Sequence, residues 1–401
     1  MLKISKLNTQ QIDTMNIGLM VLSLALAYIL PFEVFLFSYA ILGPLHYLTE
    51  ISWLHQKSYF VPNAKKMSLW IFPILAFILT FILVYDDVVG LVRKWQELPP
   101  AKPVFAHLWN TNIIFFLFGI SFVLVLLPKL WMKIAGLIAV ALFALTFNLG
   151  KTCISCTSAQ NQKKIEICDY SNKEAVSFIR NKCADVNNDG MISPDVDFKE
   201  DQKFYFWAIL FTAYLPTLIH VYIFTMLFML FGALKGKSKI GLVSVGLLIL
   251  FGILPFVWDP SFLSYTVSDY AKKSYDASFF DLNTIIFRNF STLAGTPENI
   301  YGSRFGIMLT RFIAFAYTYH YLNWFSKTSI IQWHKMKGIN LAVVLILWAI
   351  AVALYIYSYK TGLTMLLLLS FLHVFLEFPL NYHTVIGIGK SIFTRKKATA
   401  T

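Results

Sequence analysis

The chain has 401 residues and a formal net charge of +13; 57% of it is hydrophobic, 17% aromatic and only 14% charged. Because the apolar residues fall in long blocks and not in short alternating stretches, these proportions exclude an ordinary water-soluble domain and mark a membrane composition. The positive charge is no argument for nucleic acid, since Lys and Arg sit in short clusters between apolar blocks and form no basic stripe with base-reading side chains.

A helix needs roughly 20 apolar residues to cross the hydrocarbon core of a bilayer. Cut by that length and by charge, the chain predicts an all-α polytopic membrane protein of about ten transmembrane helices with a small disulfide-stapled extracytoplasmic insert. Residues 1-150 carry the first five spans, 16-30 and 33-55, turned by Pro31, then 67-87, 104-127 and 129-150. After the mostly polar stretch Met1 to Met15, the apolar run ends at Pro31 without a small-residue cleavage site, which predicts an uncleaved first helix. Residues 151-202 are too hydrophilic for lipid. Residues 203-401 carry spans at 203-233, 239-258, 303-327, 339-359 and 362-388, with an aromatic-rich loop at 259-302. No internal repeat is visible.

Lys and Arg accumulate in short cytoplasmic loops. With the N-terminus inside, every inside segment is basic: Lys3 and Lys6; Lys57, Lys65 and Lys66; Lys129 and Lys133; Lys235, Lys237 and Lys239; Lys327, Lys335 and Lys337; Lys390, Arg395, Lys396 and Lys397. The expectation is a multi-pass plasma (inner) membrane protein with both termini cytoplasmic and residues 151-202 outside.

All four cysteines, Cys153, Cys156, Cys168 and Cys183, fall in that outside insert, where oxidation is expected. Two disulfides are the favoured reading, with the connectivity open; a redox-active or zinc-binding Cys153-x-x-Cys156 is the alternative. Beyond Cys183, oxygen donors at Asp185, Asn187 and Asp189, then Gly190, Met191 and Ser193, resemble the calcium loop of EF-hands and dockerin repeats. Position 12 is Val196 where a carboxylate belongs, so bound Ca2+ stands beside a plain Asx-rich turn.

Ionisable groups inside helices are costly and mark function or tight internal pairing. Of eight histidines, His46, His220, His320 and His373 lie well inside the second, sixth, eighth and tenth spans. These even-numbered spans run in one direction, so the four rings can meet at one depth. His46 precedes Glu50 and His373 precedes Glu377 by four residues, which puts each imidazole and carboxylate on one helix face, as two metal ligands or as a ligand and its orienting acceptor. A single buried His is more often a satisfied hydrogen-bonding residue than a ligand. Four at matched depth predict a shared polar site. His55, His334 and His383 are candidates for an outer shell, His107 for an interfacial residue, and Arg311 for an ion pair with a carboxylate such as Glu33.

The segment Gly43-Pro44-Leu45-His46-Tyr47-Leu48-Thr49-Glu50 is similar to the Gly-Leu-Pro-His-x-x-x-Asp segment of the Brp/Blh family of membrane β-carotene 15,15′-dioxygenases. Leu372-His373 with Glu377, and Asn381-Tyr382-His383, resemble that family's final motif. The resemblance implies a non-haem iron held by histidines and cleavage of carotene to retinal. Departures are Trp324 where the family has a second His four residues beyond the one matched by His320, the loose counterpart Ile219-His220, and the cysteine insert.

The leading expectation is therefore a membrane-embedded metalloenzyme, a non-haem iron oxygenase acting on a lipophilic substrate such as a carotenoid or fatty chain. His46, His220, His320 and His373 would bind Fe(II), and Glu50 and Glu377 would ligate it or orient the rings. The expected partners are membrane lipids and a substrate from the bilayer. The alternatives are a proton- or ion-coupled transporter or channel and a haem-b electron carrier.

Overall fold

The computed structural model describes residues 9–61, 68–100, 110–146, 153–157, 160, 164–168, 210–260, 265–291, 293, 295–327 and 338–398. Cys183, the calcium-loop residues Asp185, Asn187, Asp189, Met191 and Ser193, and His107 and His334 lie outside them.

Helix α1 is Thr9–Ile29, and α2 starts at Pro31, where a residue without an N–H costs nothing, and spans Pro31–Gln56. Helices α3 (Ser68–Trp95), α4 (Asn110–Leu126) and α5 (Leu130–Thr146) follow. Strands β1 (Cys153–Thr157) and β2 (Lys164–Cys168) form an antiparallel pair in which Cys153 stands opposite Cys168. Helix α6 runs from Leu210 to Gly236, and α7 is Lys239–Val257. Three short helices, α8 (Asp269–Asp276), α9 (Phe280–Phe290) and α10 (Pro297–Gly302), precede α11 (Arg304–Ser326), α12 (Gly338–Tyr357) and α13 (Tyr359–Ala398).

Among the described residues seven helices are long and apolar enough to cross a membrane, and α4 and α5 are shorter apolar helices. Their outward faces carry large apolar side chains such as Trp131, Val243 and Ile346, exposed by 65%, 56% and 60%. Water would not tolerate that much contiguous apolar surface; lipid does. The eighth predicted span, 303-327, corresponds to α11, which is too polar to count among the seven. It lies enclosed, packed against α1, α2, α6 and α7, with Arg311, His320 and Asn323 buried. At 40 residues α13 is about 60 Å long, so it outruns the predicted 362-388 at both ends.

The aromatic loop expected at 259-302 folds instead into α8, α9 and α10. Its helix starts are written locally: the side chain of Ser268 accepts from the Ala271 amide and that of Thr296 from the Asn299 amide, with Pro297 next. Ser303 caps α11 in the same way through the Gly306 amide. A Cβ on Gly306 would lie against the carbonyl oxygens of Ile300 and Asn299, which belong to backbone and cannot swing away. Gly306→Ala is expected to destabilise the fold by about 3 kcal/mol, read as a lowered melting midpoint in detergent.

The partner expected for Arg311 was Glu33, but Glu33 accepts instead from Tyr265 Oη and Ser268 Oγ, each at 2.7 Å. Arg311 Nη1 donates to Asp259 Oδ1 at 2.7 Å, and its guanidinium lies 4.8 Å over the Tyr28 ring. Both carboxylates are available at the same end of the bundle, and the one that follows α7 reaches the guanidinium. The hydrogen bond from Arg311 holds the Asp259 carboxyl below its ordinary range. A depressed carboxyl adds stability above its unfolded value, about 4, and that increment disappears as the pH falls through the native value. Asp259→Asn is therefore expected to cost about 2 kcal/mol at neutral pH. Melting curves of variant and wild type should converge in acid.

Candidate metal centre

Two prolines shape the helices that carry the first two of these histidines. Pro44 cannot donate to the carbonyl four residues earlier, and the turn before it, Ser38–Leu42, widens to a π-helical register in which the Gly43 amide reaches back to Ser38 O. Pro216 sits likewise inside a π-helical stretch, Leu210–Phe224. His46 and His220 leave the chain just beyond these prolines. His320 comes from the enclosed α11 and His373 from the middle of α13.

The structure brings all four histidines together. Their rings form a closed circuit: His46 to His320 at 4.7 Å between centroids, His320 to His220 at 5.0 Å, His220 to His373 at 5.0 Å, and His373 to His46 at 5.3 Å. Neighbouring rings are tilted steeply, by 67° to 81°. His46 Nε2 lies 3.1 Å from His320 Nε2, and His220 Nε2 lies 3.2 Å from His373 Nε2. All four residues are buried, as are Glu50 and Glu377, each 2% exposed.

Most of the Nδ1 edges face outward to partners. His373 Nδ1 lies 3.3 Å from Leu369 O, a carbonyl that only accepts, so the ring proton sits on Nδ1 and Nε2 turns a lone pair inward. His320 Nδ1 meets Thr225 Oγ1 at 2.7 Å, and His220 Nδ1 lies 3.0 Å from Glu377 Oε2. Tyr47 stacks on His373 at 4.3 Å, and Trp324, which donates to Thr49 Oγ1 at 3.0 Å, stands edge-on to His46. These contacts hold the rings with their Nε2 edges convergent.

The two carboxylates are not equivalent. Glu50 Oε2 lies 3.0 Å from His46 Nε2, the inward nitrogen, so it shares the convergent space. Glu377 addresses the outward nitrogen of His220 and acts from behind that ring. Neither Oε2 has hydrogen-bond alignment, and His46 Nδ1 and His220 Nδ1 also lack it. No Lys or Arg among the described residues lies within ion-pair distance of either carboxylate. Uncompensated buried acceptors cost several kcal/mol each; a divalent cation at the convergence would offset them in charge and in ligation. Ligand atoms of His46, His220 and His320, and of His46, Glu50 and His373, fall within 4.8 Å of one another. The cluster is compatible with metal binding.

Of the three histidines expected as an outer shell, His334 lies outside the described residues and the other two are engaged elsewhere. His55 Nδ1 pairs with Tyr59 Oη at 3.1 Å and His383 Nε2 with Phe60 O at 2.7 Å, both near the α2 terminus. Thr225 and Tyr47, which do support the rings, were not singled out from the sequence. Tyr47 had a signal in its adjacency to His46, whereas nothing local marks Thr225.

Fold and cluster together define a helical protein of membrane character with four imidazoles and two carboxylates gathered in its interior. Comparison of the chain with family models, with curated proteins and with solved structures returns no match.

Proposed function

We propose that this chain is a membrane-embedded metalloenzyme, a non-haem iron oxygenase acting on a lipophilic substrate. The observation that carries the reading is the closed circuit of four histidines with Nε2 edges turned inward, two of the N to N separations being 3.1 and 3.2 Å. His46, His220, His320 and His373 would hold the metal through Nε2, Glu50 would complete the set, and Glu377 would orient His220. Imidazole donors suit iron, and iron would supply dioxygen activation. The chain itself holds the rings, excludes water and offers an apolar approach. The resemblance of Gly43 to Glu50 to carotene-cleaving enzymes points to the same chemistry, with a carotenoid or fatty chain as substrate.

Ten helices would cross the plasma membrane with both termini cytoplasmic, α4, α5 and α11 completing the seven. On the outer side, Cys153 and Cys168 stand opposite in the β1 and β2 register, so we assign them to one disulfide and leave Cys156 and Cys183 for the other. Non-reducing peptide mass mapping is expected to show the 153 to 168 link; a 153 to 156 link would overturn it. The turn after Cys183 would hold Ca2+.

A coupled carrier is the second reading, favoured by the two cavities that reach the cluster from opposite ends, with His320 in the wall of both. A haem between two of these rings would need a flat slot, whereas the rings touch one another. Elemental analysis and visible absorption of purified protein test all three. Iron without a Soret band supports the oxygenase, a Soret band supports haem, and no metal with no band leaves the carrier.

A further inference from the structure

The larger cavity, about 400 Å³, lies on the side of the cluster toward the start of α1 and is walled by His46, Glu50, His320 and Glu377 at its deep end. Its sides are largely apolar, with Phe228, Met229, Trp324 and Leu380. Its mouth is formed by the start of α1, the end of α6 and the end of α11, which place Asp13, Lys235 and Lys327 there. The charges at this mouth do not cancel. Asp13 already accepts from Ser238 Oγ at 2.5 Å, and neither lysine makes an ion pair among the described residues. Lys235 lies 5.9 Å over the Phe231 ring. Two further polar atoms have no partner and sit on buried residues of the same wall, Asn323 Oδ1 and Thr384 Oγ1. The smaller cavity, about 240 Å³, reaches the cluster from the opposite side and is walled by Tyr39, Tyr47, Phe279, Leu363 and Phe371, with no Lys or Arg among its described lining residues.

From this asymmetry we infer that the larger cavity takes a single-chain amphiphile with a carboxylate headgroup, held at the mouth by Lys235 and Lys327 with its hydrocarbon chain running to the His/Glu cluster. Asp13 is the single carboxylate at a mouth that carries two lysines, so a neutral hydrocarbon would leave a net positive charge there, whereas an anionic headgroup would balance it. A carboxylate accepts from both ammonium groups while its chain covers the aromatic walls, and the volume is that of a small-molecule site. The inference rests on the metalloenzyme reading for its deep end and on the lysines for its mouth.

The test uses purified full-length protein in a non-ionic detergent, with metal content measured on every sample. Radiolabelled oleate is the probe, with oleyl alcohol, phosphatidylglycerol and phosphatidylcholine as competitors. Oleate is expected to bind near one per chain. Oleyl alcohol, which has the chain without the charge, should compete at least about tenfold more weakly. The Lys235→Gln, Lys327→Gln double variant should lose oleate to a similar extent while keeping the metal content and melting midpoint of wild type. Equal competition by the alcohol, or unchanged oleate binding by the double variant, would overturn the carboxylate assignment with the metal reading intact. Displacement by phosphatidylglycerol, and not by phosphatidylcholine, at lower concentration than oleate itself would reassign the site to a diacyl anionic lipid and overturn the single-chain assignment. Charge-dependent oleate binding in protein that holds no metal would sink the metalloenzyme reading and leave the headgroup site standing.

Discussion

Replacing His46 or His373 by Ala is expected to cut bound metal from about one atom per chain to less than about a tenth of that, whereas His55→Ala and His383→Ala keep it in full. Each of the first two rings presents Nε2 to the common space, at 3.1 Å from His320 and 3.2 Å from His220 respectively. Removing either opens the circuit and leaves its former neighbour facing a void, so the cost in affinity exceeds the roughly 10 to 100-fold typical of an outer-shell change. The cavity left by the ring costs about 2 kcal/mol of stability as well, so metal content is compared among variants that elute and melt as folded protein. Elemental analysis of the four variants is the measurement. Full metal in both His46→Ala and His373→Ala would sink the metal centre, and loss in all four would reduce it to a general sensitivity of the fold.

Glu50→Gln and Glu377→Gln are expected to separate, although both carboxylates are buried and each contacts an imidazole at 3.0 Å. Glu50 faces the inward nitrogen of His46, so its amide replacement removes a ligand and should abolish most metal retention. Glu377 faces the outward nitrogen of His220, and its replacement should weaken binding by about 10 to 100-fold while still allowing loading at high metal concentration. The metal-free proteins should behave in the opposite sense. Two buried carboxylates without aligned hydrogen bonds burden the empty site, and turning either into a neutral amide relieves that burden by about 1 to 3 kcal/mol. Metal-free Glu50→Gln should therefore melt above metal-free wild type, and added metal should raise its midpoint least. Titration of Fe(II) or Zn(II) against both variants, followed by melting, reads both effects. Identical behaviour of the two glutamates would remove the distinction between ligand and orienting residue.

Local signals explain how much was readable in advance. Apolar blocks of bilayer length are written contiguously, so most of the helices lie near their expected limits, α3 and α13 running well past theirs, and the four histidines lie within those blocks. The turn at Pro31 and the i to i+4 spacing of His46 and Glu50 are likewise local. The caps at Ser268 and Thr296 were equally local, yet α8 to α10 were missed because short helices amid aromatic residues lack the long apolar run that identifies a span. Arg311 does pair with a carboxylate, but Glu33 and Asp259 both lie near the ends of spans, and only packing decides which one the guanidinium meets.

By itself the sequence determined the membrane character, the axial position of each histidine and the pairing of each i+4 carboxylate with one helix face, since all of these depend on the rise and period of a single helix. Only the tertiary structure decided that the rings of His46 and His320, 274 residues apart, and of His220 and His373, 153 residues apart, would touch. It also decided that Glu377 would serve His220 on another helix instead of its own neighbour His373, and that lysines would gather at one mouth only. These outcomes depend on the order and rotation of helices in the membrane plane. Packing of side chains between helices sets that order, and the apolar pattern along any one helix is nearly blind to it.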